Sequence, residues 1–383
     1  MKKNLMIFVP LITIGGIEKV AITTAEFLKD KYNVSIVVFN RYEHEFKTDI
    51  PVYSLDFNHP SNPVSYVLNT IKNVFSYRKI CRELDIDITL AFNETATVIA
   101  ALGKAKEKVI GSFHGFGIVP KGKIKTGVYH FLYKRIKSIC VSKVLSAECA
   151  KAVRLPLEYF PTVYNPFDID EIEKMAQEDF AVEGSPKLLF CGRLDKFKNI
   201  ELVMEALSLL IYRYPDARLY ILGDGDHKNS LYETAGKLGI SDNVIFTGRM
   251  LCPFHLISKC DIMLNPSYNE GFGNTLVEAL ICKVPVISVD CKAGPREILA
   301  PDTDIEKVTD DIEFAEYGIL LAPSYPDDDA DVRREKAERM AKAVDTLLSN
   351  KDMREHYRRN GAKRLEALTK EKYIQTLTNL IES

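Results

Sequence analysis

Twice along this chain, short apolar runs rich in Val, Ile and Leu alternate with helix-length amphipathic segments, and no other feature limits the fold as strongly. In the first half the strand-like runs are 4–10, 33–39, 51–54, 86–91, 107–112 and 137–141, with helix-like segments at 17–30, 63–83, 124–135 and 144–153. In the second half the strands fall at 187–191, 217–222, 243–246, 261–264 and 284–288, separated by helices at 199–213, 226–238, 253–259 and 273–282. Strands joined by helical crossovers form right-handed βαβ units on a parallel sheet covered on both faces. A chain of 383 residues exceeds what one such core holds, so the pattern predicts two Rossmann-like, doubly wound α/β lobes.

The acidic stretch N-P-F-D-I-D-E-I-E-K-M-A-Q-E-D-F-A-V-E-G-S-P at 165–186 reads as the interdomain connection. The expected division is 1–168, 169–360 and a C-terminal helix, 361–383, packing back toward the first lobe. The charged tail has helical period, so it must lie outside a sheet or across the lobes. Two facing lobes leave a cleft, and open α/β sheets bind ligands beyond the carboxyl ends of their strands. Chemistry is expected there.

A net charge of −2 gives no basic field for nucleic acid, so no nucleic-acid partner is expected. The eight cysteines, at 81, 140, 149, 191, 252, 260, 282 and 291, form no C-x-x-C pair, which predicts reduced thiols, no zinc site and a cytoplasmic protein. The start, Met1-Lys2-Lys3 followed by an apolar run, has the order of a secretory signal. Pro10 within the run and Gly15-Gly16 after it favour a buried first strand instead. No stretch approaches the ~20 apolar residues of a membrane-spanning helix.

The most informative segment is N-E-G-F-G-N-T-L-V-E-A-L at 269–280, a loop between a strand and a helix. Gly271 and Gly273 let the backbone approach a ligand, Phe272 between them is counted with the donor-binding residues, and the amides of Asn274, Thr275 and Leu276 at the helix start are expected to hold phosphate. Glu270 and Glu278 flank that place. Taken alone, Glu270 reads as a solvated loop carboxylate and Glu278 as a polar position of an amphipathic helix. In F-C-G-R-L-D-K-F-K-N at 190–199, Arg193 and Lys198 sit at the carboxyl end of a strand, where two cations suit a diphosphate or are ordinary surface residues.

The string E-G-F-G-x-x-x-x-E after a strand, with G-R-x-x-x-x-K-N before it in chain order, resembles the donor-binding signature of glycosyltransferase family 4. The resemblance implies a GT-B fold, a metal-independent hexosyltransferase and a retaining mechanism. It also implies a nucleotide-sugar donor, expected to be UDP-linked, and a glycan or lipid-linked acceptor in polysaccharide or glycoconjugate biosynthesis. Glu270 then lies beside the donor sugar, Glu278 on the ribose hydroxyls, and Arg193 with Lys198 on the leaving diphosphate. I-L-G-D-G at 221–225, with Gly223, resembles the family's next strand-and-glycine element, and Met250 follows Gly248-Arg249 where the family's main chain faces the base. A-G-P-R-E-I-L at 293–299 resembles bacterial members that build surface polysaccharides.

Gly15 and Gly16, between the first strand and helix, either admit the donor phosphate or form a plain tight turn. His114 follows the strand 107–112 and as a lone histidine reads as structural, but the family places a cleft histidine there, so the resemblance assigns it with Glu270 to orient the sugar. D-G-D at 224–226 mimics a metal-binding D-x-D, but with Arg193 and Lys198 in place no metal and no cofactor are expected. Lys121, Lys123, Lys125, Lys134, Arg135 and Lys137 form a basic face with aromatic neighbours, a solvated edge or a peripheral contact with the inner face of an anionic membrane. Rival readings are a GT-B epimerase or phosphorylase, and an inactive nucleotide-sugar binding module of an assembly complex. A dehydrogenase fails because no G-x-G-x-x-G follows the first strand.

Overall fold

The computed structural model describes residues 2–12, 15–40, 48–55, 63–116 and 122–383. It divides into two compact units, one of residues 1–167 with 368–383 and one of residues 168–367. The first unit runs β1 (Asn4–Phe8), α1 (Gly16–Leu28), β2 (Asn33–Val38), β3 (Val52–Ser54), α2 (Pro63–Glu83), β4 (Ile88–Phe92) and α3 (Glu94–Gly103). It continues through β5 (Lys108–Phe113), α4 (Lys123–Tyr133), β6 (Lys137–Cys140) and α5 (Lys143–Val153). Its strands pair in the order β3-β2-β1-β4-β5-β6, all parallel. β1 is central and buried along Leu5–Phe8, because apolar residues on both faces suit a sheet with helices on each side.

The second unit opens with α6 (Ile169–Ala176), then β7 (Lys187–Cys191), α7 (Ile200–Leu210), β8 (Arg218–Leu222), α8 (Lys228–Leu238), β9 (Val244–Gly248), α9 (Phe254–Ile257) and β10 (Ile262–Asn265). α10 (Asn274–Ile281), β11 (Val286–Val289), α11 (Pro295–Leu299), β12 (Ile312–Phe314), β13 (Ile319–Leu321), α12 (Ala330–Ser349) and α13 (Lys351–Leu365) complete it. The order β12-β13-β11-β10-β7-β8-β9 repeats that of the first sheet, with antiparallel β12 added at one edge. In each sheet the order reverses beside the unit's first strand: between β1 and β4, and between β7 and β10. Such switch points are where open α/β sheets hold ligands.

Several segments depart from the sequence-based expectation. The connection over 165–186 contains α6, capped by Asp168 and burying Ile172, because its few apolar residues fall on one helical face. The tail is three helices, and α13 runs through Gly361, so no helix begins at that residue. α12 and α13 stay with the second unit, whereas α14 (Lys370–Glu382) lays Tyr373, Leu377 and Ile381 into the core of the first. There the Tyr373 and Thr24 hydroxyls share a buried 2.7 Å hydrogen bond, and Lys108 Nζ donates to the carbonyls of Leu380 and Ile381. α3, α11, β12 and β13 had no sequence signal strong enough to predict. Among the described residues no helix is long and apolar enough to cross a membrane.

Candidate active site

The switch point of the second sheet gathers the chemistry. β7 delivers Gly192 and the loop after it, in which Asp195 accepts the amide of Phe197 and closes one 3-10 turn over Lys196–Lys198. β10 delivers the loop 266–273. Lys198 Nζ and Glu270 Oε1 meet across these loops at 2.6 Å, with side chains 23% and 12% exposed. Burial alone would lower the Lys198 pKa, but the Glu270 carboxylate outweighs it and holds the ammonium above its ordinary value. Glu270 is thus a paired, largely enclosed group and not a solvated loop carboxylate.

Hydrogen bonds fix the two loops to each other. Tyr268 N–H donates to the Phe197 carbonyl at 3.0 Å and its hydroxyl donates to Asn199 Oδ1 at 2.9 Å. Asn199, buried and left-handed between the 3-10 turn and α7, returns Nδ2 to the Pro266 carbonyl at 3.3 Å. Ser267 Oγ donates to Asn265 Oδ1, and Asn265 Nδ2 to Ser288 Oγ on β11. Sequence reasoning missed Tyr268, whose only signal was its place in the loop before Glu270. It also missed Cys291, a buried thiol that faces the electrostatic field of Glu270 and Lys198 and that burial holds well above the ordinary value, hence uncharged.

The remaining second-unit residues show several differences from expectation. Arg193 is paired locally: its Nε donates to Asp195 Oδ2 at 2.7 Å on a side chain that is 75% exposed. A local carboxylate two residues away captures it, a pairing the motif did not anticipate. Gly273 is the N-cap of α10 at φ +94°, which favours glycine, and its carbonyl accepts the Leu276 amide at 3.0 Å. That amide is therefore already engaged, a correction to the three free donors expected. Asn274 and Thr275 begin the helix half-buried, beside Gly271 and buried Phe272.

Glu278 is only 5% exposed within a helix buried from Leu276 to Ile281, so it is not a solvated polar position. Gly223, at φ +145°, lies against the Gly192 carbonyl, where a Cβ would come within 1.8 Å. Only glycine permits that approach of the β7 and β8 ends. Gly223 N–H in turn donates to the Gly248 carbonyl at the end of β9, two residues before half-buried Met250. Asp224 and Asp226 are exposed, and Asp224 Oδ1 accepts the Gly225 amide. In A-G-P-R-E-I-L, Arg296 is a buried structural cation held by Asp290 and Glu313.

Gly15, Gly16 and His114 belong to the first unit, Gly15 and Gly16 at the start of α1. His114 follows β5, with Nε2 2.9 Å from Ser112 Oγ and its ring stacked 5.5 Å from Phe92. Burial lowers its pKa to about 3, so at neutral pH the ring is an uncharged hydrogen-bonding group and not a proton donor of ordinary acidity. On the basic face, Lys121 lies outside the described residues. Lys137 Nζ donates to Ser383 Oγ at the end of the tail, while Lys123, Lys134, Arg135, Val128 and Phe131 remain exposed.

Comparisons with known proteins agree with this architecture. The chain is 27% identical over 384 residues, 97% of each protein, to the N-acetylgalactosamine-N,N'-diacetylbacillosaminyl-diphospho-undecaprenol 4-alpha-N-acetylgalactosaminyltransferase of Campylobacter jejuni. It is 26% identical over 309 residues, 77% of this chain and 82% of the other, to the lipopolysaccharide 1,6-galactosyltransferase of Salmonella typhimurium. The crystal structure of Anabaena HepE in complex with UDP and glucose has the same two-domain GT-B fold, with a TM-score of 0.77, 19% identity and 99% of each chain covered. Residues 14–171 match Glycosyltransferase Family 4 and residues 171–321 match Glycosyl transferases group 1. With residues 14–321 so accounted for, the chain belongs to the glycosyltransferases that join a family 4 domain to a group 1 domain.

Proposed function

We propose that this glycosyltransferase moves a hexose or N-acetylhexosamine from a UDP-sugar to a lipid-linked or lipopolysaccharide glycan, with retention of configuration and without a divalent cation on the diphosphate. The observation that carries the reading is the enclosed Lys198–Glu270 pair at the switch point of the second sheet, next to the start of α10. An ammonium and a helix N-terminus suit a diphosphate, and a carboxylate beside them suits sugar hydroxyls or developing positive charge at the anomeric carbon. The names of the Campylobacter and Salmonella relatives support a lipid-linked or lipopolysaccharide acceptor, and the UDP complex of HepE supports the nucleotide.

In the proposed step the acceptor oxygen bonds to the anomeric carbon on the face from which the nucleotide departs. The bond from that carbon to the diphosphate oxygen breaks, and the departing diphosphate takes the acceptor proton. Lys198 stabilises the leaving charge, Arg193 joins it on exchanging Asp195 for phosphate, and Glu270 orients the sugar. Glu278 is assigned to the ribose and Met250 to the base. His114, uncharged, orients the sugar through hydrogen bonds, and Gly15-Gly16 admits the donor phosphate. Exposed Val128 and Phe131 with Lys123, Lys134 and Arg135 form the face proposed to rest on anionic lipid.

The test is nucleotide release from a panel of nucleotide sugars with a polyprenyl-diphosphate-linked glycan and no added magnesium or manganese, using wild type, Glu270→Ala and Lys198→Ala. Release from one UDP-sugar, lost in both variants, with a product of unchanged anomeric configuration by NMR, supports the reading. Neither binding nor release across the panel overturns it. An inverted product or a requirement for magnesium overturns the corresponding part.

A further inference from the structure

Glu178, Cys252 and His255 bring one ligand atom each to within 4.8 Å of one another, on the second unit and outside the residues assigned to the donor. Cys252 and His255 have Cys-x-x-His spacing across the start of α9, and Glu178 comes from two residues beyond α6. A search for C-x-x-C pairs could not find this group, because its second ligand is a histidine and its third lies far upstream. We propose that these three side chains bind a zinc ion that ties the end of α6 to the loop between β9 and α9.

The donor set decides the metal. Thiolate sulfur, imidazole nitrogen and one carboxylate oxygen make a borderline-soft site that favours zinc over magnesium or calcium, which require mostly oxygen. Bonds of about 2.0–2.3 Å in a tetrahedron bring ligand atoms closer than the present spread, and exposed Glu178 is free to swing inward. The frame is already built. Ser258 Oγ donates to the carbonyls of Ala176 at 2.7 Å and His255 at 3.1 Å, and Phe180 packs on the His255 ring at 4.6 Å between centroids.

A second observation points the same way. Nδ1 of His255 is shut off from solvent with no hydrogen-bond partner, an unsatisfied state that native imidazoles rarely keep. Coordination through Nδ1 would give that nitrogen the partner it lacks. On binding, the Cys252 thiol releases its proton to solvent and its sulfur lone pair forms the metal bond, with no change of oxidation state. Three protein ligands leave the fourth position to water. Because Cys252 follows Met250 by two residues, the ion would also fix the loop assigned to the nucleotide base.

The full-length protein is to be titrated with zinc against a competing chromophoric chelator, and separately with cobalt(II), for wild type, Glu178→Gln, Cys252→Ser and His255→Gln. One ion per chain is expected, with a near-ultraviolet thiolate-to-cobalt charge-transfer band. Each variant should weaken binding at least tenfold, on the order of the ~10–100-fold lost with an outer-shell partner, and Cys252→Ser should abolish the band. Circular dichroism of the metal-free variants checks folding, and Glu178→Gln changes only an exposed side chain. No uptake by wild type overturns the proposal. So does binding unchanged in His255→Gln, or a band that survives Cys252→Ser and therefore belongs to another cysteine.

Discussion

Breaking the Lys198–Glu270 pair one side at a time should destabilise the second unit more than removing both charges together. The pair is closed at 2.6 Å with 23% and 12% of its side chains exposed. Charges about 4 Å apart attract by about 4 kcal/mol at an effective dielectric of 20, and desolvation opposes this. For the ammonium the direction is given by its raised pKa: the attraction of Glu270 exceeds the cost of burying that one charge. Removing one partner of a fully buried pair costs about 3–5 kcal/mol, and partial exposure brings this to about 2.

In a cycle of Glu270→Gln, Lys198→Met and the double variant, with each single loss near ~2 kcal/mol and the double loss below it, the expected coupling is above about 2 kcal/mol, toward the upper end of the range for contacting residues. The chain has no Trp, so urea unfolding is to be followed by circular dichroism. A coupling under about 0.5 kcal/mol would refute the reasoning. The sign with pH is also fixed. A raised lysine contributes fully below its ordinary value of 10.5 and loses the contribution as pH rises through the higher folded value. On the lysine side the coupling should hold across neutral pH and vanish in strong alkali. In turnover, Glu270→Gln should lower kcat mainly, whereas Lys198→Met should raise KM as well.

Tyr268→Phe leaves Asn199 Oδ1 without its donor, so a loss of about 1–2 kcal/mol is expected, together with a drop in kcat as the Lys198 loop loosens; unchanged kcat would make the network purely structural. NMR of labelled histidine, assigned with His114→Gln, should show the His114 ring uncharged down to strongly acidic pH, since its pKa is about 3. As the unfolded histidine protonates near 6.5, acidification between those values should lower stability, and a folded-state midpoint near 6.5 refutes the burial argument. Truncation after Ala367 removes Tyr373, Leu377 and Ile381 from the first core, each worth about 1.5–3 kcal/mol, so the first unit should unfold at markedly lower urea; a first unit as stable as in the full chain refutes that packing.

Local patterning in the sequence determined the two Rossmann-like halves, the strand-to-loop transitions that place Lys198, Gly223 and Glu270, and the helix start at Asn274. These depend on periodicity and backbone freedom over a few residues, which a sequence displays directly. It did not reveal α3 or the short β12 and β13, whose runs are too brief or too uniformly apolar to carry a period. Nor could it reveal which charges meet. Lys198 pairs with Glu270 because β7 and β10, far apart in sequence, are neighbours in the sheet, while Arg193 is taken by nearby Asp195. The burial of Glu278, the assignment of α14 to the first core and the approach of Glu178 to Cys252 and His255 were likewise decided by tertiary structure. Each depends on strand order and helix packing between distant segments, and no local spacing encodes that.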